Sequence, residues 1–323
     1  MSPSIGSWAR NTADGRFAEP HDERELQEVL HVLADRGAKL NVDLQLSRAK
    51  LNAIGEVHQG SMSVGVGAGV VLRDLDAKLT SHGLSLGPLT PAAMSLSLAA
   101  FLEGPYAGVR SIPGGRLEPL TASLRALMSD GRKLETSPAP RSAAGPDLNA
   151  LVLGAHGRLA LVTHAVVRCV PYPERDVRVA CFSFPDASAF VDAMKHAIAE
   201  GFWPWRVHVE PGVRAEIRWA ASVGSVERDR ELLTRCVLAA GGRGEEELEH
   251  HAPVTTEIEA TWDAVRASLE KGNRLQLFRL SLASVVARGE VEGLRLDEPT
   301  PWNPLGARLL SFDTRGVLGG AVR

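Results

Sequence analysis

Aromatic residues are scarce: Phe, Trp and Tyr together make up 5% of the 323 residues, and only two are tyrosines. That leaves little material for a platform on which bases stack. The three cysteines, Cys169, Cys181 and Cys236, are far apart and form no C-x-x-C pair. They argue against a zinc knuckle or a disulfide framework and for a reducing compartment. No basic block suited to phosphate tracking exists, and the net charge is −3, so a nucleic-acid partner is not expected. No run approaches the ~20 apolar residues of a membrane helix. The first residues, MSPSIGSWARNTADGRF, carry no apolar signal core, so a cytoplasmic protein without membrane insertion is expected. There is no G-x-S-x-G to anchor a hydrolase triad. His250 and His251 follow an acidic run but lack further ligands at compatible spacing, so no metal is expected.

What the chain does have is an ordinary globular balance, 44% hydrophobic and 23% charged, at a length that suits two cores. Leu26, Val29, Leu30 and Leu33 recur at helical spacing, which predicts a helix over Glu23 to Asp35 ended by Gly37. Strands are predicted at Leu40 to Leu46, Ser61 to Val66, Leu120 to Met128 and Leu159 to Val170. Helical patterns cover Leu72 to His82 and, within a Pro- and Gly-rich stretch of loops from Pro88 to Gly115, Ala92 to Glu103. A helical turn is predicted at Leu148 to Leu153.

Beyond Pro171-Tyr172-Pro173 the order is strand (Val177 to Phe184), helix (Ala187 to Glu200), two strands (Arg206 to Val209, Arg214 to Trp219) and helix (Ser225 to Ala240). That order suggests a split βαβ, ferredoxin-like unit. A helix over Glu257 to Glu270, a long strand over Arg274 to Val286 and a final helix near Leu305 to Leu310 complete the reading.

Single motifs are weak. Gly65-Val66-Gly67-Ala68-Gly69 would need glycine at Val70 to match a dinucleotide fingerprint, so a tight strand-to-helix turn is the plainer reading. His208 and Glu210 share a strand face, and a satisfied surface pair is expected there. Trp203 and Trp205 read as interface or core packing.

The stretch 145–174, GPDLNALVLGAHGRLALVTHAVVRCVPYPE, is more specific. Its Gly145, Asp147, Leu148, Leu151, Gly154, Gly157, Leu159, Thr163, Ala165, Arg168, Pro171 and Pro173 match the close of the FAD-binding domain in the vanillyl-alcohol oxidase/PCMH-type flavoprotein family. The pattern is similar to glycolate oxidase small FAD-binding subunits and alkyl-dihydroxyacetonephosphate synthases. SMSVGVGAGVVLRDLDAKLTSHGLSLG, LRALMSDGRKLET and the closing FDTRGVLGGAVR resemble further family segments. The resemblance implies an α+β protein: a PCMH-type FAD-binding fold of two α/β subdomains plus a ferredoxin-like cap. The FAD-type domain would span 1–176 with 299–323, its subdomains about 1–87 and 88–176, and the cap 177–298. It implies FAD as cofactor, held at Gly104, Gly145, Asp147, Gly154, Gly157 and Val162 if FAD is bound, with no catalytic residue assigned.

The chain departs from that pattern at four places. The glycine- and serine-rich pyrophosphate loop is missing between Gly37-Ala38-Lys39 and Leu40 to Leu44. Ser95 and Leu96 stand where the family has paired glycines. Ala155, His156, Ala160 and His164 replace motif residues, and Gly319-Gly320-Ala321 replaces a terminal N-P-G. These point to a degenerate member, a pseudoenzyme or partner subunit beside a paralogous oxidoreductase subunit. The alternative is an active FAD-dependent oxidoreductase acting on a 2-hydroxy acid of glycolate or lactate type.

Overall fold

The structure is a computed structural model, which describes residues 9–12, 15–40, 44–112, 115–138, 147–172, 177–220, 225–245 and 256–296. Gly145, Pro173, His250, His251, the final helix near Leu305 to Leu310 and Gly319 to Ala321 lie outside the described residues.

The first half opens with a hairpin of β1 (Ala9–Thr12) and β2 (Gly15–Ala18), then α1 (Glu23–Arg36) and β3 (Gln45–Leu46), which joins β2 in parallel. Next come β4 (Ile54–His58), β5 (Ser63–Gly67), α2 (Leu72–Thr80) and β6 (Leu84–Ser85). Two short helices, α3 (Pro91–Met94) and α4 (Leu98–Glu103), precede the hairpin β7 (Val109–Ile112) and β8 (Arg116–Pro119). Then follow β9 (Thr121–Met128), β10 (Lys133–Glu135), α5 (Asn149–Val152), β11 (Ala160–Arg168) and β12 (Val170–Pro171).

A five-stranded antiparallel sheet, in the order β10-β9-β11-β5-β4, is the frame. It draws strands from both sides of residue 87. The α1 stripe is buried as its spacing implies: Leu26, Val29, Leu30 and Leu33 are all in the core. Asp22 caps the helix by accepting from the Glu25 amide, and Gly37 ends it at φ 61°, a left-handed conformation that glycine takes without steric cost. Against the sheet, α1 sits on the β9–β10 turn, where Gln27 Nε2 donates to the Gly131 carbonyl at 2.7 Å.

The second half comprises β13 (Val177–Ser183), α6 (Ala187–Ala199), β14 (Pro204–Glu210), β15 (Arg214–Ala220), α7 (Val226–Ala239) and β16 (Arg243–Glu245). It continues with β17 (Glu257–Thr261), α8 (Trp262–Glu270), β18 (Leu275–Phe278), β19 (Ser284–Gly289) and β20 (Leu294–Arg295). All eight strands form one sheet, ordered β16-β13-β15-β14-β18-β19-β17-β20. The first four are a ferredoxin-like unit, its strands ordered fourth-first-third-second. The last four repeat that order in mirror sequence across the sheet, and the two units join edge to edge through β14 and β18.

Helices α6, α7 and α8 cover one face, burying Phe190, Met194, Leu233, Val237, Val265 and Leu269 against Val207, Ile217, Leu277 and Ala287. Each such side chain contributes about 1.5–3 kcal/mol. On the other face Phe278 and Val286, with Leu296, join the core of the first half, so this side of the sheet is seated on that half.

Three expectations are corrected. Val109 to Ile112, within the stretch expected as loops, is a strand paired in a hairpin with Arg116 to Pro119. Glu257 to Glu270 is a strand followed by a helix, because Thr261 accepts from the Ala264 amide and starts the helix only there. Arg274 to Val286 is two strands, because Arg279 at φ 45° and the Ser281 turn reverse the chain. Among the described residues no helix is long and apolar enough to cross a membrane.

Candidate functional site

The glycines singled out in the sequence converge on one place, the end of α4. Glu103 is the last residue of that helix, and Gly104 follows as its cap. A side chain at Gly104 would lie 2.4 Å from the Ala100 carbonyl oxygen, so the exit from α4 requires glycine. The loop after α5 folds back onto it: the Gly154 amide donates to the Leu102 carbonyl and the His156 amide to the Glu103 carbonyl, both at 2.8 Å. Three left-handed residues, Gly154 (φ 72°), His156 (φ 53°) and Gly157 (φ 70°), make that turn. At His156 the conformation is strained for a residue with a side chain. Burial, and then the Arg158 charge, holds the His156 pKa below its ordinary value.

Val162 follows on β11, whose pairing with β9 slips between Val162 and His164. Here side chains meet the backbone. The Val162 amide donates to Glu103 Oε1 at 2.7 Å, and the Val162 carbonyl accepts from Arg48 Nη1 at 2.9 Å. Arg48 also donates to both Glu103 oxygens, at 2.5 and 2.7 Å. The pair is shielded, with side-chain exposures of 17% and 7%. Burial alone would lower the Arg48 pKa, but the charge and hydrogen bonds of Glu103 outweigh it and hold the guanidinium above its ordinary value.

Arg48 reaches this position because the Gly65–Gly69 stretch lets the preceding segment lie against it. The Gly67 amide donates to Ala53 and the Gly69 amide to Leu51. A Cβ at Gly67 would lie 2.2 Å from the Leu51 oxygen, and one at Gly69 2.2 Å from the Arg48 oxygen. These glycines serve a close approach of chain to chain.

Of the residues implied as cofactor contacts, Gly104, Gly154, Gly157 and Val162 are thus brought together around Glu103. Asp147 is not: its Oδ1 accepts from the Asn149 amide at 3.0 Å and shapes the α5 turn. Ser95 Oγ donates back to the Ala92 carbonyl, and Leu96 lies half-buried at the edge of the core.

Ser95, Leu96, Ala100, Pro105, Tyr106 and Glu257 line a cleft of about 450 Å³ between the first half and the cap. At its wall Tyr106 Oη donates to Glu257 Oε2 at 2.5 Å, and Arg288 donates to Glu257 Oε1 at 2.8 and 3.1 Å. Burial, then Glu257, pushes the Tyr106 pKa well up, so the phenol stays protonated and bridges the two halves.

His208 and Glu210 do share a face, 2.8 Å apart, but both are buried rather than at the surface, and Glu210 also holds Arg274 at 2.6 Å. Trp203 and Trp205 pack edge to face, with Trp203 Nε1 3.5 Å from Ser111 Oγ in β7. Among the described residues no group of His, Cys, Asp or Glu is arranged to hold a metal. Sequence reasoning passed over Arg48, Glu103, Tyr106, Glu257 and Arg288. The one signal was an acid closing the apolar run Leu98 to Leu102.

Residues 31–137 match the FAD binding domain family. The chain is 33% identical over 120 residues to a D-lactate dehydrogenase of Archaeoglobus fulgidus, covering 37% of this chain and 27% of that one. It is 22% identical over 161 residues to an alkyldihydroxyacetonephosphate synthase of Caenorhabditis elegans, covering 50% and 27%. The matched stretch therefore spans about a quarter of each relative's length. In three dimensions the chain is similar to a solved alkyldihydroxyacetonephosphate synthase, with TM-score 0.68, 13% identity and coverage of 95% of this chain and 76% of that one. It is also similar to a 4-ethylphenol oxidase from Gulosibacter chungangensis, with TM-score 0.60, 12% identity and coverage of 92% and 76%.

Proposed function

We propose that this chain, which carries the FAD binding domain of the FAD-linked oxidoreductases within a PCMH-type fold, has given up the conventional hold on FAD and serves as a partner subunit of an oxidoreductase complex. The observation that carries the reading is at Val162. Both polar atoms of its backbone, implied as a cofactor contact, are taken by Glu103 and Arg48.

The donor set does not fit a flavin dinucleotide there. A cofactor contact needs free backbone polar groups, whereas the Gly154 and His156 amides donate to the Leu102 and Glu103 carbonyls. Displacing one member of a buried pair leaves the other uncompensated, which is strongly unfavourable. The core, by contrast, is intact, as a partner subunit requires. Cys169 and Cys236 are buried and in no disulfide, which suits a reducing, cytoplasmic setting.

The likeness to D-lactate dehydrogenase favours a second reading, an active FAD-dependent oxidoreductase of a glycolate- or lactate-type 2-hydroxy acid. The visible spectrum of the purified chain, with and without added FAD, separates the two. The first reading expects a colourless protein whose unfolding temperature does not respond to FAD, because a ligand that binds only the native state must raise it. A yellow protein with stoichiometric flavin overturns it in favour of the second.

A further inference from the structure

The two ferredoxin-like units of the cap differ in one element. In the first, the crossover from β15 to β16, its third and fourth strands, carries the 14-residue helix α7. In the second, the corresponding crossover from β19 to β20 is only the strap Glu290 to Gly293, with no helix. The strap crosses β17 on the helix side of the sheet, where Val291 packs on the core, and a Cβ at Gly293 would collide with the Glu259 carbonyl oxygen. Ser268 Oγ and Asn273 Nδ2 fasten the strap by donating to the Glu290 carbonyl. Helix α8 therefore has α6 on one side and no helix on the other. Its Trp262, Val265 and Leu269 are buried. Its free flank, Ala264, Ala267 and Lys271, borders a recess of about 330 Å³ whose far wall is Glu290, Val291 and Glu292.

A helix can come close to such a flank, since the spacing of packed helices is set by the side chains between them. On the recess and its rim three acids, Glu270, Glu290 and Glu292, stand against Lys271 and Arg295, while Asp263 is held by Arg266 at 2.7 Å. The opposite end of the same helix layer offers the complement. The outer face of α7 carries Leu238, at 60% exposure the most exposed large hydrophobic side chain among the described residues. The inner face of α7 is already used, with Leu232, Leu233, Cys236 and Val237 buried. The acids Glu227, Asp229 and Glu231 lie in the first half of α7 with Arg228 and Arg230 between them. Beyond Glu231 the only charge is Arg235, which also reaches Glu200 at 3.6 Å.

We propose that a second copy of this chain fills the recess with the outer face of its α7, and that the contact is reciprocal. The strand pairings make α7 and α8 parallel: β15 and β17 run in the same direction, and each helix returns against the strand before it. A twofold axis parallel to both helices then lays α7 of each copy along α8 of the other, which closes a dimer rather than opening a filament. It seats Leu238 of one copy between the partner's Ala267 and the partner's Val291. Arg235, at the basic end of α7, meets the partner's Glu290 and the partner's Glu292, so the two faces are complementary in charge as well as shape. Recess and helix face both lie on the helix side of the cap, away from the first half, so the dimer forms whatever occupies the groove at Val162.

The test is sedimentation of the full chain in low-salt buffer over a range of concentrations. The parent should dimerise with rising concentration, and Leu238→Asp and Ala267→Arg should each weaken the dimer by at least about 10-fold, the loss expected at a central contact. Both side chains are exposed, so each variant should unfold at the temperature of the parent diluted to monomer. Mixing the two variants should recover a heterodimer, because Leu238→Asp keeps its recess and Ala267→Arg keeps its α7 face, which leaves one of the two contacts whole. Arg235→Glu should also dissociate the dimer, and Glu290→Lys with Glu292→Lys in the same chain should restore it. The proposal is overturned by a parent that stays monomeric, by a dimer indifferent to Leu238→Asp or to Ala267→Arg, by a mixture that stays monomeric, or by a charge reversal that restores nothing. None of these readouts involves flavin, so their failure leaves the reading at Val162 untouched.

Discussion

Removing the Glu103 carboxylate is the sharpest test of how the Val162 backbone is held. Three donors converge on it: two from Arg48, at 2.5 and 2.7 Å, and the Val162 amide at 2.7 Å. In Glu103→Ala the Arg48 guanidinium, 17% exposed, keeps only its 2.9 Å bond to the Val162 carbonyl, and the Val162 amide loses its acceptor. Breaking one side of a buried pair costs about 3–5 kcal/mol, of which about 1–3 kcal/mol belongs to the orphaned amide. Replacing both partners by apolar residues, Arg48→Met with Glu103→Leu, removes the stranded charge, so the double variant should lose less than Glu103→Ala alone. The coupling between the two positions should then reach about 2 kcal/mol. Urea unfolding gives the stabilities, and hydrogen exchange at the Val162 amide locates the effect. The reasoning fails if Glu103→Ala costs under about 1 kcal/mol, if the two positions are additive, or if Val162 exchange is unchanged.

Gly69→Ala should destabilise by about 3 kcal/mol or more, because its Cβ would collide with the Arg48 carbonyl, and it should expose the Val162 amide to exchange as Glu103→Ala does. The Glu23 pKa is lowered from 4.5: burial raises it, but Lys133, Thr163 and Arg125 outweigh burial. A depressed carboxylate gives stability that is present above its unfolded value and lost as pH falls through its folded one. Stability measured from pH 6 downward should therefore decline below about pH 4.5, and less steeply in Glu23→Gln. Tyr106→Phe removes the hydrogen bond to Glu257 and should cost about 1.5–3 kcal/mol, with faster proteolysis at the seam between cap and first half.

The elements most legible in the sequence are those whose signal is local. The α1 helix carries its stripe and its Gly37 stop close together, and both are found in place, with Asp22 capping its start. The βαββα order of the cap is also local, and it yields the fourth-first-third-second sheet. Its repetition in β17 to β20 was hidden because Thr261 starts a helix directly from a strand, so that one apolar run contains both. The hairpin β7–β8 was hidden by the glycines and prolines around it, which read equally well as loop. The Arg279 reversal was hidden because a left-handed arginine leaves no compositional trace.

The site obeys a different rule, since its members are long-range. Gly104, Gly154, Gly157 and Val162 were found because a family pattern marks them, yet the residues that decide what they do, Arg48 and Glu103, lie 55 positions apart and match no motif. In the sequence Arg48 stands in an unremarked loop and Glu103 only closes an apolar run. In the structure Arg48 and Glu103 meet at the Val162 backbone. Without Glu103 and Arg48 the fully buried Val162 would keep bare backbone polar atoms, which costs about 1–3 kcal/mol per atom. Both atoms are instead hydrogen-bonded by side chains held in one ion pair. The buried backbone of Val162 is thus satisfied within the chain, by an ion pair whose two members no local sequence signal brings together.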